Sequence, residues 1–227
     1  PAKLGLSIPE QKHRWLREFL KAFMVVFMVY CCMYLVRNNL SAAQPRLVKQ
    51  GLTTTQLGWI GYGFSLASGI GKTLLGYVVD GKNTKRFMSF LLVLAAVMTL
   101  LVGVLLLMNQ TPVGLILVLW SLNGLFQSPG GSASLSTISR WTTTTTRGRY
   151  IGIWNISHEL GGAVAGIIAL WGANHLFVGN VGGMFIFPAA IVLIVGLWGL
   201  FLGADDPHDL GWDTSEVIFA EPLPVAA

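Results

Sequence analysis

Apolar residues run along this chain in long stretches separated by short polar links. A helix needs about 20 mostly apolar residues to cross the hydrocarbon core of a bilayer. Six stretches meet that length: residues 22–43, 56–79, 87–108, 112–139, 151–173 and 183–203. The third, fourth and sixth contain no Asp, Glu, Lys, Arg or His. The ionisable exceptions in the other three are Arg37, Lys72, His158 and Glu159. Alternation of period two is missing, which argues against a membrane β-barrel. The pattern therefore predicts an all-α membrane protein with six transmembrane helices.

Composition narrows the choice further. Of 227 residues, 53% are hydrophobic and 11% charged. A soluble domain carries about 25% charged residues. So few charges cannot cover a water-facing surface, which excludes a cytosolic enzyme, a disordered chain and a secreted disulfide scaffold. Cys31 and Cys32 are adjacent within an apolar run. They make a poor disulfide pair and lack metal-ligand spacing, so no metal or cofactor is expected.

The net charge of +5 is a matter of orientation, not of nucleic-acid binding, because the basic residues sit in short clusters between spans. Lys3, Lys12, Arg14, Arg17 and Lys21 precede the first span. Lys82, Lys85 and Arg86 follow the second, and Arg140, Arg147 and Arg149 follow the fourth. The opposite links hold only Arg46 and Lys49. Basic residues gather on the cytoplasmic side, so both termini are expected there. The expected organisation is a basic cytoplasmic segment over 1–21, a six-helix bundle over 22–203 and an acidic cytoplasmic tail over 204–227. No signal peptide is recognised ahead of the first span. Pairs of glycines at small-xxx-small spacing (Gly148 and Gly152, Gly162 and Gly166, Gly199 and Gly203) predict close helix packing.

Ionisable side chains at mid-bilayer cost about 2.5–3.5 kcal/mol each even on lenient insertion scales, and most serve function. Lys72 lies eight residues before Asp80, and His158 nine beyond Arg149. At 1.5 Å per residue both are roughly 12–13 Å deep, near the middle of the core. Tyr30, Tyr34, Arg37 and Ser41 share one helical stripe. Ser65, Ser68 and Lys72 share another, as do Asn123, Gln127, Gly130 and Ser134, and Asn155 and His158. Arg, Lys and His converge with only Glu159 as a buried acid, which points to an anion. Arg offers a planar fork for two phosphate oxygens, Lys a point charge, and His a proton that titrates near neutrality. The competing reading is an internal network in which Glu159 pairs with Lys72 or Arg37 and merely holds helices together. A third reading, a serine protease within the membrane built on Ser132 and His158, suffers from a sixth span that has no His.

These residues also carry a resemblance. The segments Met33-Tyr34-Leu35-Val36-Arg37-Asn38-Asn39, Gly69-Ile70-Gly71-Lys72-Thr73, Asp80-Gly81-Lys82-Asn83-Thr84-Lys85 and Trp154-Asn155-Ile156-Ser157-His158 resemble the organophosphate:phosphate antiporters, a branch of the major facilitator superfamily. Gly76, Asp80, Lys85 and Arg86 look like the superfamily's conformational loop motif between its second and third helices. Phe126-Gln127-Ser128-x-Gly130-Gly131-Ser132 and Met184-Phe185-Ile186-Phe187-Pro188 are similar to the hexose-6-phosphate transporters.

The resemblance implies that Arg37 binds phosphate and that Tyr30, Tyr34, Lys72, Gln127 and His158 line the substrate path. Asn155, Glu159 and Ser68 are implied as secondary site residues. It implies rocker-switch exchange of a sugar phosphate for inorganic phosphate in the inner membrane, without enzymatic chemistry. Related sensors and glycerol 3-phosphate:phosphate antiporters share the framework and remain alternatives. Two positions depart from the family pattern: Ser68, where a tyrosine is common, and Glu159, where asparagine is common. The family has twelve helices in two halves, so this chain is expected to be the N-terminal half, with a C-terminal six-helix half as its partner, in cis or as a separate chain.

Overall fold

A computed structural model of the chain describes residues 8–79 and 82–212. The described residues form seven α-helices: α1 (Ile8–Lys49), α2 (Thr54–Val79), α3 (Thr84–Leu107), α4 (Val113–Gln127), α5 (Gly130–Trp141), α6 (Arg147–Leu176) and α7 (Gly183–Phe201). A 3-10 turn, Pro207–Leu210, follows. No strand occurs among the described residues. The fourth predicted span is two helices, because Pro129 has no amide hydrogen to donate and its ring breaks the ladder. Ser128 covers the break, its Oγ donating to the Leu125 carbonyl at 2.7 Å.

Counting Val113–Trp141 as one unit, five of the described segments are long and apolar enough to cross a membrane. α2 is the sixth long helix, with 26 residues. Its Gly, Ser, Thr and Lys72 dilute its hydropathy, as expected of a helix that turns one side to a polar cleft. α1 begins at Ile8, well ahead of the predicted span. Its 42 residues would extend roughly 63 Å, about twice the hydrocarbon thickness.

The helices pack in pairs: α2 on α4, α3 on α7, and α1 on α6, with α3 also on α4 and α7 against both α1 and α6. Two of these contacts depend on missing side chains. A Cβ on Gly161 of α6 would collide with the Cys31 carbonyl oxygen of α1, and one on Gly124 of α4 with the Phe64 carbonyl oxygen of α2. Of the spaced glycine pairs, Gly199 and Gly203 lie against neighbouring helices, and Gly162 and Gly166 face Asn38 and Ala42 of α1. Gly148 and Gly152 face open space instead.

Two apolar cores result. One gathers Trp15, Phe19, Met88, Trp141 and Trp154 with α1 up to Val36. The other gathers Leu47, Ile60, Trp120 and Phe185 with α1 from Leu40 onward. Arg37 falls between them. On the outside, Trp59, Tyr62, Leu66, Ile70, Leu74 and Tyr77 form an exposed apolar stripe along α2. Ile153, Ile156, Leu160 and Ile167 are similarly exposed on α6. Such surface is stable against lipid or another apolar chain, not against water.

The end of the bundle where α3 starts is tied by Asp205. This carboxylate is 1% exposed. It accepts from Thr84 N at 2.8 Å, Thr84 Oγ1 at 2.8 Å, Lys85 N at 2.9 Å and Thr137 Oγ1 at 2.7 Å, and it pairs with Arg140. Asn83 Oδ1 accepts from Arg86 N at 2.9 Å. Three of the four orphan amides that open any helix are thus satisfied. In return the Lys85 ammonium donates to the carbonyls of Gly199 at 3.0 Å and Leu202 at 2.7 Å, where α7 ends. Negative charge at the start of α3 and positive charge at the end of α7 both oppose the local helix dipole favourably.

Candidate anion-binding cleft

Between α1, α2 and the α4–α5 break lies a cleft in two parts. One, of about 440 Å3, is lined by Tyr30, Tyr34, Arg37, Lys72, Gln127, Ser128 and Ser132. The other, of about 460 Å3, is lined by Arg37, Asn38, Ser41, Phe64, Ser65, Ser68 and Lys72. Arg37 and Lys72 belong to both parts and stand where they meet. The predicted stripes of α1 and α2 therefore meet at the cleft, and of the fourth-span stripe (Asn123, Gln127, Gly130 and Ser134) Gln127 alone lines it.

The Arg37 guanidinium carbon sits 5.1 Å from the Tyr34 ring centre and 5.0 Å from that of Phe64. Each aromatic face contributes about 0.5–2 kcal/mol to a cation so placed. Arg37 makes no ion pair with a described carboxylate, and its Nε is buried without a hydrogen-bond partner. Lys72 is exposed to the cleft and likewise has no described ionic partner. Two cations thus share a cleft with no described carboxylate paired to either, and ring faces flank Arg37.

Glu159 does not join an internal network with Arg37 or Lys72. Its Oε1 lies 3.1 Å from His158 Nε2, and the carboxylate is 79% exposed. His158 stands behind the tyrosines and lines neither part of the cleft; its ring centre is 5.4 Å from Tyr34 and 6.1 Å from Tyr30. Trp154 stacks on Tyr30 at 4.6 Å. His158 Nδ1, Trp154 Nε1, Arg37 Nε and Gln127 Oε1 are all buried and unpartnered. Buried polar atoms are rarely left so in a protein interior, and two of these, Arg37 Nε and Gln127 Oε1, belong to residues that line the cleft, which suits a polar ligand. Asn155 is exposed and lines neither part, whereas Ser68 is buried and lines the second. Ser132 Oγ donates to the Pro129 carbonyl at 3.1 Å and makes no described contact with His158, so no protease dyad forms.

The loop residues separate. Asp80 lies outside the described residues, Gly76 is half-buried near the end of α2, Lys85 is buried as a helix cap, and Arg86 is exposed. Phe64 and Asp205 carry work that sequence reasoning missed. Phe64 reads as one more apolar residue of a span, and Asp205 as one acid of a solvated tail.

A bundle of long apolar helices with a cationic cleft suits a membrane carrier, and the sequence profile of the Major Facilitator Superfamily matches residues 26–220. The chain belongs to that superfamily. It is 46% identical over 221 residues to the hexose-6-phosphate:phosphate antiporter of Salmonella typhimurium (strain LT2), covering 97% of this chain and 48% of that protein. It is 28% identical over 198 residues to a membrane sensor protein of Escherichia coli (strain K12), covering 87% and 43%. Among solved structures, a bacterial homolog to the human lysosomal transporter Spinster, inward-facing and unoccupied, matches with a TM-score of 0.65. At 17% identity, over 78% of this chain and 41% of that one, the match shows shared fold alone. The chain spans about half the length of the curated relatives it matches.

Proposed function

We propose that this chain is the N-terminal half of an antiporter that exchanges hexose 6-phosphate for inorganic phosphate by alternating access in the inner membrane. In this reading both termini are cytoplasmic, residues 1–21 form a basic lead segment, 22–203 the bundle and 204–227 the start of the link to a second six-helix half. That half closes the open side of the cleft, since facilitator sites lie between repeats.

The observation that carries the reading is Arg37, flanked by two rings and free of any described carboxylate, beside Lys72. Arg37 supplies a bidentate fork for two phosphate oxygens and Lys72 a second positive charge. Tyr30, Tyr34 and Gln127 line the remaining wall, and His158, held by Glu159, orients Tyr34 or accepts a coupled proton. Charge explains why such a carrier exchanges. Two unpaired cations are costly in a low-dielectric core, so the loaded cleft reorients more easily than the empty one, and either phosphate compound serves as the counter-charge.

The test is Arg37→Lys in a transporter assembled from this chain and a C-terminal half. Lysine keeps the charge and loses the fork. Phosphate exchange in proteoliposomes is expected to be abolished, and retained exchange would remove Arg37 from the binding role.

A further inference from the structure

Asn123 and Gln127 stand one turn apart on α4, both buried. Asn123 Nδ2 donates to the Val36 carbonyl at 3.0 Å. A carbonyl only accepts, so this contact fixes which way the Asn123 amide faces. Asn123 Oδ1 must then point at Gln127, and it accepts from Gln127 Nε2 at 2.7 Å. The second amide is fixed in turn. What remains is Gln127 Oε1, buried and without a partner, on a side chain that lines the cleft beside Tyr30, Arg37 and Lys72. The relay is anchored on the backbone immediately before Arg37, so the acceptor is registered against the guanidinium.

We propose that Gln127 is the specificity-determining residue for the organic part of the substrate. Its Oε1 accepts a hydrogen bond from one sugar hydroxyl while Arg37 and Lys72 hold the phosphate. This rests on the sugar-phosphate reading above and deepens it. The chemistry is selective because a phosphate monoester dianion has only acceptor oxygens, which repel an amide carbonyl, whereas a sugar ring brings donors. A site whose buried acceptor needs a donor rejects the analogue that lacks it. The rival occupant is a P–OH of inorganic phosphate, which retains one or two such groups near neutrality.

The experiment is competition binding against labelled glucose 6-phosphate on the assembled protein with five probes: glucose 6-phosphate, its 2-, 3- and 4-deoxy analogues, and inorganic phosphate as reference. One deoxy analogue is expected to bind wild-type protein about tenfold more weakly than the parent. In Gln127→Leu the ratio of glucose 6-phosphate affinity to phosphate affinity is expected to fall about tenfold. The penalty for that one deoxy analogue is expected to vanish there. The inference fails if every deoxy analogue binds wild-type protein like the parent, a result that needs no variant to fold. It also fails if Gln127→Leu weakens phosphate and sugar phosphate equally, or keeps the deoxy penalty intact. Sugar discrimination by Gln127 in a protein that binds both compounds but exchanges neither would sink the antiporter reading and leave this inference standing.

Discussion

Replacing Asp205 with asparagine keeps the volume of the side chain and removes what the site uses. Five donors meet this carboxylate: Thr84 N, Thr84 Oγ1, Lys85 N, Thr137 Oγ1 and a nitrogen of Arg140. An amide offers one acceptor oxygen and one NH2 group. If the NH2 takes the Oδ2 side it faces Thr84 N–H and Arg140, both donors. If it takes the Oδ1 side it faces Lys85 N–H, and only the two hydroxyls are able to turn and accept. Either way a buried backbone amide loses its partner, which costs about 1–3 kcal/mol. Arg140 also loses its nearer countercharge and keeps Asp206, whose Oδ2 lies 3.8 Å from its Nε. Breaking a fully buried pair costs about 3–5 kcal/mol, and the arginine is partly solvated, so its share is smaller. The expected total is about 3 kcal/mol. Chemical unfolding in detergent measures it, with Arg140→Gln as the other arm of a double-mutant cycle. A coupling energy of about 1–3 kcal/mol is expected, together with faster hydrogen exchange at the amides of Thr84 and Lys85. Additive single effects, with those amides still protected, would refute the clasp.

Other outcomes follow from the same contacts. Gly161→Ala places a methyl against the Cys31 carbonyl and is expected to separate α1 from α6, with a loss of roughly 1–3 kcal/mol by unfolding in detergent. Phe64→Ala removes one of the two rings flanking Arg37. Phosphate affinity by competition binding is expected to change by about 2–30-fold, with Tyr34→Ala producing a similar change on the other face. Lys85→Met strips the cap from the Gly199 and Leu202 carbonyls, with an expected cost of about 1–3 kcal/mol that Arg86→Met, on an exposed side chain, does not share.

The spans and the three stripes around Arg37, Lys72 and Gln127 were legible because a bilayer forbids exposed charge, and each breach of that rule marks itself in a single sequence. The stripe argument placed His158 on the cleft, whereas it lies one layer back; helical phase gives the face of a residue but not what stands in front of it. Whether Glu159 joined Arg37, Lys72 or neither was not decidable from depth, since its neighbour His158 competes at close range. The α4–α5 break was written in Ser128-Pro129 yet averaged out in a run of apolar and small residues. Phe64 and Asp205 had no local signal. One becomes a cation's wall only when α2 packs on α4 against α1, and the other becomes a helix cap only when the chain after α7 folds back to α3.

The proposed activity is carriage of phosphate one way in exchange for sugar phosphate the other. The most direct measurement is uptake of labelled glucose 6-phosphate by proteoliposomes holding the assembled transporter, with and without inorganic phosphate inside. Internal phosphate is expected to stimulate uptake strongly, and Arg37→Lys to remove the stimulation. Equal uptake into loaded and empty vesicles, or binding with no uptake into either, would contradict the account.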